Sequence, residues 1–215
     1  MHSKYLDNQL DNQIIICAYI LYRDCSHMSF VEFFIIFVII VIIVCYIHNY
    51  VNTEVEYVKS NIDGRLYLVL SLPDKQRAAN FLAEINRDLI RLIKHLKAKY
   101  PDSEDYDRLY RNYDPDKMSE GTPDSNYTSY TINKSALVIC IRQPDTHEFV
   151  EKNIVLYPAI HEICHIMTAE IGHTTTFWKN FKEVLTEAIN MGVYQKVDFA
   201  KNPTPYCGLV LSSHI

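Results

Sequence analysis

The stretch Asn153–Gly192, NIVLYPAIHEICHIMTAEIGHTTTFWKNFKEVLTEAINMG, decides how the rest of the chain is read. It holds His161-Glu162-Ile163-Cys164-His165 among apolar neighbours: Tyr157, Ala159, Ile160, Ile163, Ile166 and Met167. On a helix, residues four apart lie about 40° apart around the axis, so His161 and His165 face one point. Two imidazoles there can bind one Zn2+. Glu162, beside the first ligand, can take a proton from a water activated by the metal and pass it on. The same five residues could be two helical histidines and a glutamate with no metal. The apolar flanks argue otherwise, because burying them together is costly without a metal or other partners. Asn153 is placed to cap the helix, and Pro158 is tolerable only near its start. Cys164 reads as a small buried apolar residue rather than a ligand.

A catalytic zinc site needs a third protein ligand and an open position. Gly172-His173 supplies the favoured candidate: Gly172 ends the helix and the chain turns back to bring His173 to the metal. Glu170 and Glu187 are the rivals, the first still on the same helix and the second on the next one, expected from Thr175 to Met191. Phe177, Phe181, Leu185, Ala188 and Ile189 form the apolar side of that second helix, and Trp178 and Phe177 read as core. Tyr194 or Tyr206 is a candidate donor to a tetrahedral oxyanion.

Upstream, Val55 to Leu72 reads as a hairpin turning at Asp63-Gly64. Pro73 and Asp74 stop its second strand and cap a helix from Lys75 to Lys99, with Phe81, Leu82, Ile85, Leu89, Leu92, Ile93 and Leu96 as its stripe. That helix carries a net charge of +5, with Arg87, Arg91 and Lys94 on one face. Such a face could bind nucleic acid or anionic lipid, but is more often a solvated surface. Asp102 to Asp124, with eight acids and three bases, is expected as a loop with one short helix near Tyr106–Tyr113. Tyr127 to Arg142 reads as a second hairpin turning near Asn133, with Tyr127–Ile132 a candidate edge for an extended peptide.

The chain has 215 residues, 48% apolar and 22% charged, with a net charge of −5. This is one domain with appendages. It is not a disordered, collagen-like or generally nucleic-acid-binding chain. Phe30 to Ile47, FVEFFIIFVIIVIIVCYI, carries one charge, Glu32, and is long enough to cross most of a bilayer core as a helix. It starts late and lacks a small-x-small cleavage site, so an uncleaved anchor is expected rather than a signal peptide. Three regions result: residues 1–27, upstream of an alternative start at Met28; an anchor over 28–50; and a domain over 51–215. Lys4 and Arg23 before the span balance Lys59 and Arg65 after it, so topology is not set by cations. Of Cys17, Cys25, Cys45, Cys140, Cys164 and Cys207, three follow the span, and no CxxC occurs. An odd number suggests reduced thiols and a cytosol-facing domain. Asn126-Tyr-Thr and Asn133-Lys-Ser are sequons that matter only on a lumenal side.

The HEICH motif, then Gly172-His173 and Thr174-Thr-Thr-Phe-Trp, resembles the zincin signature of the WLM and SprT-like metallopeptidases. More of the chain, from Tyr57 to about Gly208, resembles the membrane-anchored members encoded by large DNA viruses. The matching pieces are Asn61-Ile-Asp-Gly, Leu72-Pro-Asp-Lys-Gln, Ser119-Glu-Gly-Thr-Pro-Asp-Ser, Tyr127-Thr-Ser-Tyr-Thr-Ile-Asn-Lys and Tyr206-Cys-Gly. The seven residues between His165 and His173 make a longer spacer than is usual in WLM proteins. The resemblance implies an α+β zincin-like domain, with a small antiparallel sheet and HExxH on a buried helix, behind one transmembrane helix. It implies zinc held by His161, His165 and His173, Glu162 as general base, a protein or peptide substrate, and a host or virion membrane. Proteases of this class cut proteins crosslinked to DNA. Here only Arg87, Arg91 and Lys94 offer a nucleic-acid contact. A membrane-tethered binding module with a structural zinc is the remaining alternative. No pattern in the chain sets an oligomeric state.

Overall fold

The computed structural model describes residues 29–51, 55–122 and 128–212. The segment 1–27, the alternative start Met28, Cys17, Cys25 and the Asn126 sequon lie outside the described residues. The chain divides into two units, 1–52 and 53–215. The first contains helix α1 (Phe30–Val51). At about 1.5 Å per residue it spans roughly 33 Å. It is the one helix among the described residues long and apolar enough to cross a membrane, with mean hydropathy 3.2 over Phe30–Ile47. The single charge in that run has a local purpose. The Glu32 amide donates to Ser29 Oγ (3.3 Å), and the Ser29 amide donates to Glu32 Oε2 (2.7 Å). This reciprocal capping box satisfies two donors that a helix start otherwise leaves orphaned.

The second unit is built on a five-stranded sheet. Strands β1 (Val55–Lys59) and β2 (Leu66–Leu70) form the expected antiparallel hairpin, registering Val55 with Leu70 and Lys59 with Leu66. Tyr67 and Val69 are fully buried on one face of β2. Against the sheet packs α2 (Lys75–Lys99), whose Leu82, Ile85, Leu89, Leu92 and Leu96 have no exposed surface. Asp74 makes no side-chain cap to α2; its carboxylate accepts instead from Arg142 Nη1 (2.8 Å).

The expected loop over 102–124 is corrected in part. Helix α3 (Glu104–Asn112) is present, but Met118–Glu120 is a strand, β3, inserted between the two hairpins. With β4 (Ser129–Ile132) and β5 (Ala136–Ile139), the order is β1-β2-β3-β5-β4. The sheet is therefore mixed rather than antiparallel: β3 runs parallel to both β2 and β5. Acidic composition hid β3, because Glu120 is buried there as a structural ion. Its carboxylate accepts from Arg142 Nε (2.7 Å) and from the Leu70 amide (2.9 Å), extending a ladder the short strand cannot complete. The β4–β5 connection is a three-residue loop, 133–135, in which Asn133 and Lys134 are both left-handed at φ +50° and the Ser135 amide donates to the Ile132 carbonyl (3.1 Å).

Helices α4 (Lys152–Met167) and α5 (Thr175–Asn190) complete the core. Asn153 does not cap α4; its side chain clamps the Gln195 amide (2.8 Å) and carbonyl (2.9 Å). Pro158 lies inside α4 rather than at its first turn. Strands β6 (Thr204–Tyr206) and β7 (Leu209–Leu211) form a small C-terminal hairpin. It turns at Cys207 and Gly208, both at positive φ. The expectation of reduced thiols is corrected here: Cys140 and Cys207 form a disulfide, with Cα atoms 6.3 Å apart. The fold brings them together across 67 residues, a separation that no local spacing reveals. Cys164 and Cys45 are the free cysteines among the described residues, Cys164 being fully buried.

Candidate active site

Helix α4 is apolar almost all round and is buried by the sheet on one side and α5 on the other. Its two histidines emerge one turn apart, ring centroids separated by 5.0 Å. The helix stops at Met167, five residues before Gly172, because Thr168 adopts an extended conformation. Gly172 instead sits in the following turn at φ +86°. Thr174 then caps α5, its Oγ1 accepting from the Phe177 amide (3.2 Å). This turn returns His173 to the helical pair, its ring centroid 4.9 Å from those of His161 and His165. One ring nitrogen from each histidine lies within 4.8 Å of the others, and His161 Nε2 is 2.9 Å from His173 Nε2.

Three aromatic side chains of α5 set the ring planes. His165 stacks on Phe177 with centroids 4.3 Å apart, His173 lies over Trp178 at 5.5 Å, and His161 meets Phe181 edge-on at 5.1 Å. Phe177 is fully buried, as expected of core. Trp178 is not core: it is 44% exposed and lines the cleft in front of the histidines.

Burial, reinforced by the neighbouring imidazoles, pushes the His161 pKa down to about 3. Burial, then His173 and Lys134, pushes His165 down to about 4. Both are therefore neutral near pH 7, with lone pairs available to a metal. Burial pushes the Glu162 carboxyl up to about 7, against two bonds from Thr131 that favour its ionised form. Thr131 Oγ1 lies 3.0 Å from Glu162 Oε2 and 3.1 Å from the Glu162 carbonyl. That hydroxyl comes from β4, an outer strand of the sheet, and ties the carboxylate to the sheet edge. Three converging imidazoles, with the Glu162 carboxylate beside the first, fit a zinc ion well. They are poorly satisfied by one another alone. The cleft in front of them encloses about 680 Å³ and is bounded by β4, α4, α5 and Leu211 of β7.

Neither rival carboxylate joins the histidine cluster, although Glu170 lines the same cleft. Glu187 pairs with Lys99 Nζ (2.7 Å) and His95 Nε2 (3.1 Å). The Glu170 carboxylate accepts from Thr176 Oγ1 (3.2 Å). Neither tyrosine singled out for an oxyanion lines the cleft. The Tyr206 hydroxyl donates to the Cys140 carbonyl (2.8 Å) and lies 2.8 Å from Ser129 Oγ, a structural tie buried by the disulfide. Tyr194 is buried beside a separate small cavity with Leu185 and Phe199. Of the basic face on α2, Arg91 pairs with Asp88 (3.4 Å), which also binds Lys152 (2.9 Å), while Arg87 and Lys94 are exposed. Thr131 was missed in the sequence; its only signal is that it alternates with Ser129 on one strand face.

No family model matches the chain. It is similar to uncharacterized protein R325 of Acanthamoeba polyphaga mimivirus, 32% identical over 168 residues, covering 76% of this chain and 85% of that protein. It is also similar to protein 136R of Invertebrate iridescent virus 6, 35% identical over 92 residues, covering 41% of this chain and 49% of that protein. Among solved structures it is similar to Wss1 from Saccharomyces cerevisiae at 17% identity and TM-score 0.44, covering 58% of this chain and 89% of that one. A mutant form of that protein gives 18% identity and TM-score 0.45, covering 59% and 92%. On its identity to R325 over most of both lengths, the chain belongs to the protein family of that mimivirus protein.

Proposed function

We propose that the chain is a zinc-dependent metallopeptidase tethered to a membrane by α1. The observation that carries this is the convergence of His161, His165 and His173 on one point beside the buried Glu162 carboxylate. Those three imidazoles would hold the metal. Bound zinc supplies a Lewis acid that polarises a peptide carbonyl and acidifies a water. Glu162 accepts the water proton and returns it to the leaving amine. Thr131 keeps the carboxylate aimed across the cleft. An extended peptide adds along β4, the outer strand of the sheet, its side chains meeting the apolar wall of Tyr157, Trp178 and Phe181. The disulfide removes the thiol argument for a cytosolic domain and favours an oxidising compartment or the virion.

The test is hydrolysis of a protein substrate by the detergent-solubilised full chain. Glu162→Gln is expected to lower turnover by roughly 100-fold or more while leaving zinc bound. His161→Ala is expected to lose both. A Gln variant with undiminished peptidase activity would contradict the mechanism.

A further inference from the structure

His173 is the exposed ligand of the three: its ring rests on Phe177 and Trp178, but the turn that carries it is not buried. Residues 169–172 are exposed, Ile171 by 91%, and a Cβ at Gly172 would meet nothing within 4 Å. A turn without burial keeps one conformation only through its polar contacts. The strongest set comes from one side chain. Lys134 Nζ donates to three successive carbonyls, those of Thr168, Ala169 (2.8 Å) and Glu170 (3.1 Å). An ammonium has three protons, so its whole donor capacity is directed at this turn. These carbonyls follow the end of α4, where acceptors lack helical partners. Arg108 Nη1 takes the one before them, Met167 (2.6 Å). Lys134 is itself rigidly placed, in the second left-handed position of the β4–β5 turn.

We propose that Lys134 is a positioning residue for the third metal-binding histidine. It fixes the turn that presents His173 to His161 and His165. The proposal rests on the metallopeptidase reading. It requires that loss of Lys134 act on metal affinity through His173, and not merely through the stability of the fold. Helix capping alone would give a lower melting temperature with no selective effect on the third ligand.

A double-mutant cycle separates the two. Zinc affinity of the full chain is measured by competition with a chromophoric chelator for wild type, Lys134→Met, His173→Ala and the double variant. The metal-free melting temperature of each is recorded alongside. Lys134→Met is expected to weaken zinc binding by roughly 10- to 100-fold, the usual effect of removing a group that orients a ligand. Added to His173→Ala, it is expected to cost little more, because no third ligand remains to be positioned. Lys134→Arg, which keeps the charge, is expected to recover part of the loss. Should Lys134→Met fail to fold, the cycle is run with Lys134→Arg. Additive losses in the cycle, or unchanged zinc affinity in the single variant, would overturn the proposal and leave the three-histidine site standing. A folded wild type that binds no zinc would overturn the metallopeptidase reading itself.

Discussion

His161 and His165 project from a helix in which Ile160, Ile163, Cys164 and Ile166 have no exposed surface. His173 projects from a turn in which Ala169, Glu170, Ile171 and Gly172 are all exposed. The first pair inherits its geometry from the hydrophobic core, so displacing it requires opening the packing between α4, α5 and the sheet. The third is placed by hydrogen bonds from Lys134, by Asn180 Nδ2 on Thr168 Oγ1 (3.1 Å) and by the Thr174 cap. Such a site has a rigid half and a half that local polar changes can move. The division also separates what damages the fold from what damages only the metal.

The largest expected effects are on the rigid half. Phe181→Ala, at a position with no exposed surface between His161 and Tyr157, should cost about 3–5 kcal/mol in denaturant unfolding. Reducing the Cys140–Cys207 bridge should cost about 4 kcal/mol by the chain-entropy model, read as a lower melting temperature under reductant. An unchanged melting temperature would mean that the C-terminal hairpin does not need its staple.

The pH dependence of the metal-free protein sharpens the comparison. Glu162 is raised from 4.5 to about 7, so its contribution is fully present below pH 4.5 and is lost as pH rises through 7. Glu162→Gln removes that loss. The variant should therefore gain on wild type between about pH 4.5 and 7, by up to ~3 kcal/mol, and hold the gain above. His161 and His165 are shifted the other way. Their contribution is present above pH 6.5 and is lost as pH falls toward about 3 to 4 in both proteins. A pH-independent difference between the two proteins would contradict the burial of the carboxylate.

Smaller effects follow on the polar side. Thr131→Val removes one bond to the Glu162 carboxylate and should lower turnover roughly 10- to 100-fold with zinc content unchanged, while Thr131→Ser restores it. At the outermost point, Ile171→Ser should change stability by less than about 0.5 kcal/mol.

The legibility of the molecule in its sequence follows the same line. The α4 and α5 helices, the α2 stripe and both hairpins are set by local periodicity and turn chemistry, which a linear reading captures. The His161–Glu162–His165 face is set by helical geometry alone. What escaped depends on contacts between distant segments. Glu120 looked like one more loop acid until Arg142, 22 residues on, made it a buried strand residue. Cys140 and Cys207 carry no spacing cue. Lys134 is a cation in a turn, and its partners lie beyond 30 residues away on another element. Asp74 and Asn153 looked like helix caps because their positions fit, but tertiary partners took both side chains.

The most direct test of the central claim is the zinc content of the purified, folded full chain, wild type beside His173→Ala, by plasma mass spectrometry. About one zinc per wild-type chain, sharply reduced in the variant, is the expected result for a three-histidine site. A folded wild type without zinc would contradict it.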